Sequence, residues 1–502
     1  MDMSLHRRFG SGTRALLVGL GVLGCCLFIS LMSADVSSAA APEKGIACNA
    51  TDGKVNGRGS TYQTILLGFY AELYEIDVCG ATPGTPADAA GNTMVAYNYA
   101  AAGTAGTGSG QGIKAASCRT DAFSGTDTPY TEANYKELNS APGTTKGCTL
   151  GFQPPFAPQG TENAKKEFEF PGSATDTTAP VMSFPVGGSS VTVPVNLAPS
   201  ENKAKEKTTA CLKGTPAALE FSAKEISRLL GGAIATWEDA ELVANNPILT
   251  TDECTGAVTR VVRFDSSGTT NIFKSYLIRA ENERTGQKCA EGKKWENYFT
   301  TNTEWPGKQK PTEEGTCSTI TTGGENGNGP ELEKIKEISG AIGYVDLPQE
   351  AVATGLITPT VQNATTKAPQ APNSGKAANC NYAVATLPGA SASDSVGLNS
   401  EDNWANNNKE INGNPNHGNV TDEGSKYPIC GLTFDLVYTG LDNNAGTNNA
   451  ITPLTADQRR TLYGFFIFVL SSTAQQKLST IDYGSLPSSW LEKLQEGFRA
   501  NF

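Results

Sequence analysis

The chain has 502 residues, a formal net charge of −12, 38% hydrophobic residues, 54 Gly and 27 Pro. That length leaves room for two or three domains, and the turn-rich composition suits a mixed α/β protein with long loops better than a helical bundle. The acidic balance argues against nucleic acid as the main partner, since neutralising many phosphates takes clustered Lys and Arg, but it leaves room for one basic pocket.

Residues 1–41 read as a signal peptide or N-terminal anchor. His6, Arg7, Arg8 and Arg14 precede an apolar stretch from Ala15 to Met32 and then the small-residue run SADVSSAAAP, with cleavage expected near Ala39 or Ala40. The apolar stretch is also long enough to remain as a membrane anchor. A lipoprotein box ending at Cys25 is disfavoured because the apolar run continues past it. Of 12 Cys, Cys25 and Cys26 fall here, leaving 12 − 2 = 10: Cys48, Cys79, Cys118, Cys148, Cys211, Cys254, Cys289, Cys317, Cys380 and Cys430. An even number of widely spaced cysteines in an exported chain predicts up to five disulfides and argues against zinc fingers.

In chain order, GRGSTYQTILLGFYAEL (Gly57 to Leu73) reads as a glycine turn entering a helix whose first turn lies near Thr61, with Leu66, Phe69, Tyr70 and Leu73 at helical spacing. TMVAYNYAAAGTAGTGSGQGIKAA predicts a strand, a Gly-rich loop and a helix start, after which Asp127 stands between Thr126 and Thr128. PVGGSSVTVPVNL reads as extended crossing strands with Val191, Val193, Val195 and Leu197 alternating. Ser222 and Glu225 form a capping box for a helix that stops at Gly231–Gly232. RVVRFDSSGTTNIF (Arg260 to Phe273) predicts strand, tight loop and helix, and SGAIGYVDL an apolar strand. From about Thr358 to Lys426 the chain is rich in Asn, Ser, Gly and Pro, which predicts a long surface insertion. ICGLTFDLVY restores a strand, and Thr455 with Gln458 caps a helix carrying Leu462, Phe465, Phe466 and Val469. Alternating strands and helices predict open α/β sheets, with ligands beyond the carboxyl ends of the strands.

Three loops share one chemistry, short hydroxyls and backbone amides at helix starts: Gly59–Ser60–Thr61–Tyr62, Thr107–Gly108–Ser109–Gly110 and Ser266–Ser267–Gly268–Thr269. With Arg263 and Asp127 beside two of them, they point to an oxyanion. A capped helix in which Arg263 simply pairs with Asp265 explains the third loop equally well. None of the loops is a P-loop or a dinucleotide fingerprint. Catalysis has little support: the only histidines are His6 and His417, no nucleophile elbow frames Ser267 or Ser109, and no metal-binding spacing appears, so neither metal nor cofactor is expected. Asp435 and the Glu331/Glu333/Glu337 run read as fold or solvated surface, and Trp237, Trp295, Trp305 and Trp490 as packing residues.

These motifs, in order over most of the chain, resemble the phosphate-binding protein of bacterial phosphate ABC importers. The most specific are VVRFDSSGTTNIF and GAIGYVDL, supported by GRGSTYQ, GSGQG and FSGTDTP. The resemblance implies a two-lobed periplasmic-binding-protein-like (type II) α/β fold with the ligand cleft between lobes joined by crossing strands. It places 45–190 with 347–502 in the first lobe and 191–346 in the second. It implies a phosphate site made of Ser60, Thr61, Tyr62, Ser109 and Asp127 from the first lobe and Arg263, Ser267, Gly268 and Thr269 from the second. Asp265 would orient Arg263, and Gly110 would support the loop. It also implies no catalysis, a monomer, and delivery of inorganic phosphate to a membrane ABC permease outside the cytoplasm. Arg58 stands where the family has a small residue, and 131–178 and 358–426 have no counterpart in it. The competing expectations are a surface or adhesion protein that kept the fold without transport and, more weakly, a secreted phosphatase.

Overall fold

The computed structural model describes residues 48, 53–81, 94–97, 108–118, 121–128, 181–197, 219–250, 256–280, 303, 305, 325–351, 355–384, 420–438 and 454–501. The segment 1–41, the 131–178 segment, Trp295, His417, Cys148, Cys211, Cys254, Cys289 and Cys317 lie outside these. Among the described residues no helix is long and apolar enough to cross a membrane.

The strands, in chain order, are β1 (Val55–Gly59), β2 (Val95–Tyr97), β3 (Phe123–Thr126), β4 (Val181–Thr192), β5 (Val195–Asn196), β6 (Glu220–Phe221), β7 (Thr259–Arg260), β8 (Ala341–Ile342), β9 (Val345–Asp346), β10 (Thr360–Gln362), β11 (Pro369–Gln370), β12 (Asn373–Ser374), β13 (Ala377–Ala378) and β14 (Cys430–Tyr438). A six-stranded sheet runs β2-β1-β3-β14-β4-β9, parallel at β2-β1-β3 and antiparallel from β3 onward. A second sheet runs β5-β8-β7. The chain passes between them twice, once from β4 to β5 and once from β8 to β9. The two passages are tied together where the Thr192 hydroxyl donates to Val345 O (3.1 Å) and Gly343 N to Pro194 O (3.3 Å). Val191, Val193, Val195 and Leu197 are all buried here, as their alternation predicted.

The helices that position the site are α1 (Thr64–Asp77), α2 (Ser109–Cys118), α3 (Ala223–Leu230), α4 (Gly268–Ala280), α5 (Asn328–Glu337), α6 (Ala456–Val469) and α7 (Ser488–Asn501). Both expected capping boxes form. Glu225 N donates to Ser222 Oγ (3.2 Å) and Ser222 N back to Glu225; Gln458 N donates to Thr455 Oγ1 (3.1 Å) and Thr455 N back to Gln458. Each box satisfies amides that the helix itself cannot. On the large sheet, Phe123, Phe184, Phe465, Phe466 and Phe498 meet mostly edge to face at 5.2–6.2 Å. On the other side, Phe273 stacks on Tyr344 at 4.7 Å with Trp305 alongside. Trp237, Trp305 and Trp490 are buried, as read from the sequence.

Four expectations need correction. Gly57 and Gly59 lie in β1 and form no turn. A Cβ on Gly57 would strike the Phe123 ring, and Gly59 (φ +145°) sits directly against the Gly125 backbone, so the glycines serve close strand packing. SGAIGYVDL is broken into β8 and β9 at Gly343–Tyr344, where the chain changes sheets. The 358–426 stretch is not wholly a surface insertion: β10 pairs in parallel with β6, and Val361, Asn363, Cys380, Tyr382 and Asp422 are buried. The Tyr382 ring lies over the Gly188–Gly484 bridge, and a disulfide joins Cys380 to Cys430. Residues 385–419 lie outside the described ones. Glu331 is fully buried, whereas Glu333 and Glu337 are solvated and pair with Lys336 and Lys334. A second disulfide joins Cys48 to Cys79. Arg58 is accommodated by an ion pair with Asp121 at 2.7 Å, both side chains buried.

Candidate functional site

One wall of the site grows from the ends of β1 and β3 and from the interior of β14 on the large sheet. Because Gly59 has no Cβ, the chain after β1 lies against β3, and Ser60 N donates to Gly125 O (2.9 Å). This brings Ser60 Oγ within 2.5 Å of Asp127 Oδ2, to which it donates. Ser109, at the start of α2, donates to the same oxygen (3.1 Å) and accepts from Asp127 N (3.0 Å). Thr433 on β14 donates to Asp127 Oδ1 (2.6 Å). Three hydroxyls thus answer one carboxylate that is 3% exposed. Burial pushes the Asp127 pKa up to about 6, opposed by the Ser60, Thr433 and Ser109 hydrogen bonds and by Arg263.

The opposite wall is built on Arg263. Its Nε donates to Asp265 Oδ1 (2.6 Å), its NH2 to Asp265 Oδ2 and to Thr61 Oγ1 (3.2 Å), and its NH1 to Asn328 Oδ1 (2.8 Å). Four of the five guanidinium N–H donors are therefore committed. Burial works to lower the Arg263 pKa, but the Asp265 carboxylate outweighs it and holds the group above its ordinary value. Asp265 is itself fixed by Gly327 N, which donates to its Oδ1 (3.2 Å) at the start of α5. Glu331 Oε2 lies 3.8 Å from Arg263 Nε and accepts no hydrogen bond among the described residues. With Asp265 already holding that guanidinium, burial keeps the Glu331 pKa well above the usual carboxylate range.

Three glycines let the walls meet. A Cβ on Gly268, the first residue of α4, would collide with Ser109 Oγ and Asp127; one on Gly110 would strike Ser266; one on Gly108 would lie 2.8 Å from Asp265 Oδ2. Gly110 N donates to Ser266 O (3.0 Å) across the gap. At the α4 start, Ser267 N donates to Thr303 O (2.9 Å) and Thr270 N to Ser267 Oγ (3.2 Å), while the Gly268 and Thr269 amides have no acceptor among the described residues. The positive end of α4 thus abuts Asp127. The Thr270 hydroxyl bonds Tyr344 Oη (2.8 Å), so the Phe273–Tyr344 stack anchors this helix start.

Every residue expected at the phosphate site lies among the described ones. Ser60, Ser109 and Asp127 form one hydrogen-bonded set. Thr61, Arg263 and Asp265 form another, and Ser267, Gly268 and Thr269 begin α4 between them. Tyr62 turns away from the seam: its N donates to Ser60 Oγ (3.0 Å), its O accepts from Tyr483 Oη, and its ring packs edge-on against Tyr483 in the core, so it positions Ser60. Asp265 both pairs with Arg263, as the capped-helix reading had it, and leaves it facing the opposite wall. Sequence reasoning missed Asn328, Thr433 and the burial of Glu331. Thr433 had a signal, since it shares a face with Asp435 in an otherwise apolar strand. Among the described residues no group of three or more His, Cys, Asp or Glu could hold a metal ion.

No family model and no curated protein matches the chain. Solved structures do. A high-affinity periplasmic phosphate-binding protein, PfluDING, bound with phosphate, aligns with TM-score 0.51 at 15% identity. A DING protein and a human phosphate-binding apolipoprotein each align with TM-score 0.52 at 16% identity. In all three the alignment covers 88% of this chain and 93% of the other. The fold is accordingly α/β of the two-lobed, type II periplasmic-binding kind.

Proposed function

We propose that the protein is an extracytoplasmic solute-binding protein that captures inorganic phosphate between its two lobes and hands it to an ABC-type permease, without catalysis. The observation that carries the reading is the convergence on one closed seam of a fixed arginine, amides at a helix start and the desolvated Asp127 carboxylate. Ser60, Thr61, Ser109, Asp127, Arg263, Ser267, Gly268 and Thr269 would surround the anion, with Asp265, Gly110 and Tyr62 supporting. Arg263 and the Gly268 and Thr269 amides supply directed donors to a dehydrated oxyanion. Asp127 faces the same anion with acceptors, which is favourable only toward an oxyanion that carries its own proton. Monohydrogen and dihydrogen phosphate do; sulfate does not, and an acceptor facing it unanswered costs ~1–3 kcal/mol.

The lobes we assign are 45–190 with 347–502 and 191–346, amended so that β10 joins the second through its pairing with β6. The two sheet-to-sheet passages support hinge closure as the capture step. The apolar 15–32 stretch supports export with cleavage or anchoring, and the two disulfides support an oxidising compartment. Calorimetric titration of the purified protein with phosphate and with sulfate at pH 7.5 tests the reading: phosphate should bind and sulfate should not. Equal binding of both, or of neither, sinks it.

A further inference from the structure

Asn328 is fully buried at the first turn of α5, a helix whose N-cap is Gly327 (φ +98°) and has no side-chain cap. Asparagine is a poor residue inside a helix, so its presence here calls for a reason beyond helix formation. Its amide touches both walls. Oδ1 accepts from Arg263 NH1 (2.8 Å), and Nδ2 is shared between Thr61 Oγ1 (3.4 Å) and Thr269 Oγ1 (3.3 Å).

The consequence lies in the hydroxyls. A threonine oxygen has two lone pairs and one proton, and turns to suit its neighbours. Thr61 Oγ1 accepts from Arg263 NH2 and from Asn328 Nδ2, so both lone pairs are taken and its proton can only be donated elsewhere. Thr269 Oγ1 is biased the same way by the other share of the amide. We propose that Asn328 is a positioning residue that turns the Thr61 and Thr269 hydroxyls into donors and, with Arg263 fixed by the same amide, sets the polarity of the seat for a tetrahedral oxyanion. The inference rests on the phosphate reading and deepens it. Only a side chain that accepts at one end and donates at the other does both tasks. A carboxylate of the same shape would still accept from Arg263, but it would draw the threonine protons toward itself and add a third acidic group beside Asp265 and Glu331.

The polarity role predicts an order that a packing role reverses: the smaller Asn328→Ala should be tolerated better than the isosteric Asn328→Asp. Phosphate titrations of N328A, N328D, T61V and N328A/T61V over pH 5.5–8.5 test it, with thermal melts to check folding. N328A should weaken phosphate by about tenfold, the worth of a hydrogen bond to a charged ligand. In the T61V background the same change should cost less, about threefold, because one of the two hydroxyls it acts on is gone while Thr269 and Arg263 remain. Relative to wild type at the same pH, N328D should weaken phosphate by about a hundredfold at pH 8, and the gap should narrow as the pH falls and the new carboxyl takes up a proton, whereas the ratio of N328A to wild type should stay constant across that range. Where N328A or N328D loses its cooperative melt, Asn328→Gln replaces it, and a tenfold loss with the melt retained supports the role. Wild-type affinity in N328A or N328Q, an equal loss with and without Thr61, or N328D binding better than N328A at pH 8 overturns it. A wild type that binds no phosphate removes the phosphate reading and this inference together; a binding wild type with indifferent variants removes this inference alone.

Discussion

The two walls of the seam solve opposite problems by the same device. On the large-sheet wall a buried carboxylate, Asp127, is answered by three hydroxyls from Ser60, Ser109 and Thr433; on the other a buried guanidinium, Arg263, is answered by Asp265 and Asn328. The hydroxyls differ in use. Beside Asp127 they are spent as donors, so that wall keeps a fixed acceptor. Beside Arg263 the Thr61 hydroxyl is held as an acceptor by protein donors, so its proton remains to be given. On the proposed reading, an oxyanion enclosed by both walls would find donors on one side and an acceptor on the other, each ordered within its own wall. Side chains pre-ordered within each wall contribute most because closure would then have only to bring the walls together.

The harshest way to break the comparison is to empty the second wall. Arg263→Ala removes the guanidinium while leaving Asp265 and Glu331, and should cost ~2–5 kcal/mol of phosphate affinity. Arg263→Lys should recover only part of it, because a single ammonium cannot meet Asp265 and Thr61 in one plane. Calorimetry giving either variant wild-type affinity would show that the cation lies outside the seat.

The next test concerns the first wall without ligand. Asp127 has its pKa raised from 3.8 to about 6, mainly by burial. A group raised in the folded state gives stability that is fully present below the unfolded value and is lost as pH rises through the folded one, here between about 4 and about 6, worth ~3 kcal/mol. Asp346 and Asp435 are pushed up the same way, by burial first and by Asp127 next. The ligand-free protein should therefore melt higher at pH 5 than at pH 7.5, and Asp127→Asn should flatten that slope. Calorimetric melts with the opposite slope would mean that donors reach these carboxylates in the folded state.

Selectivity sharpens the contrast further. Asp127→Asn should weaken phosphate and relax the rejection of sulfate by ~1–3 kcal/mol, since an amide can donate to an anion that has no proton to give. Acidity should imitate the substitution: below about pH 6 the wild-type carboxyl carries a proton and sulfate should begin to bind. Unchanged phosphate-to-sulfate ratios in the variant and across that pH range would take Asp127 out of the recognition.

How far these walls were legible in the sequence follows from the range of the forces that build them. The capping boxes at Ser222 and Thr455 are encoded within four residues and form as read. The loops bearing Ser60, Ser109, Asp127 and Arg263 were found from local chemistry and from resemblance to a family. Gly57 and Gly59 were misread because a glycine that avoids a ring or a facing strand looks the same in sequence as one that makes a turn; the deciding partners, Phe123 and Gly125, lie far along the chain. Glu331 was misread because its neighbours Glu333 and Glu337 are solvated, although its spacing of four from buried Ile335 places it on the apolar face of α5. Tyr382 needed the Gly188–Gly484 bridge to have a place to pack, and nothing local to an Asn- and Gly-rich stretch announces that.

The gentlest probe removes one of the three hydroxyls. Thr433→Val keeps the shape of a buried side chain on β14 and deletes only the donor to Asp127 Oδ1 (2.6 Å). Ser60 and Ser109 both serve Oδ2, so Thr433 is the donor they cannot replace. Its loss should destabilise the ligand-free protein by ~1 kcal/mol and raise the Asp127 pKa further. The pH at which sulfate begins to bind should therefore shift upward, while phosphate affinity at pH 5.5 stays close to wild type. A T433V protein whose sulfate threshold does not move would mean that the two serines alone hold the carboxylate, and that β14 contributes the strand to this wall but not its chemistry.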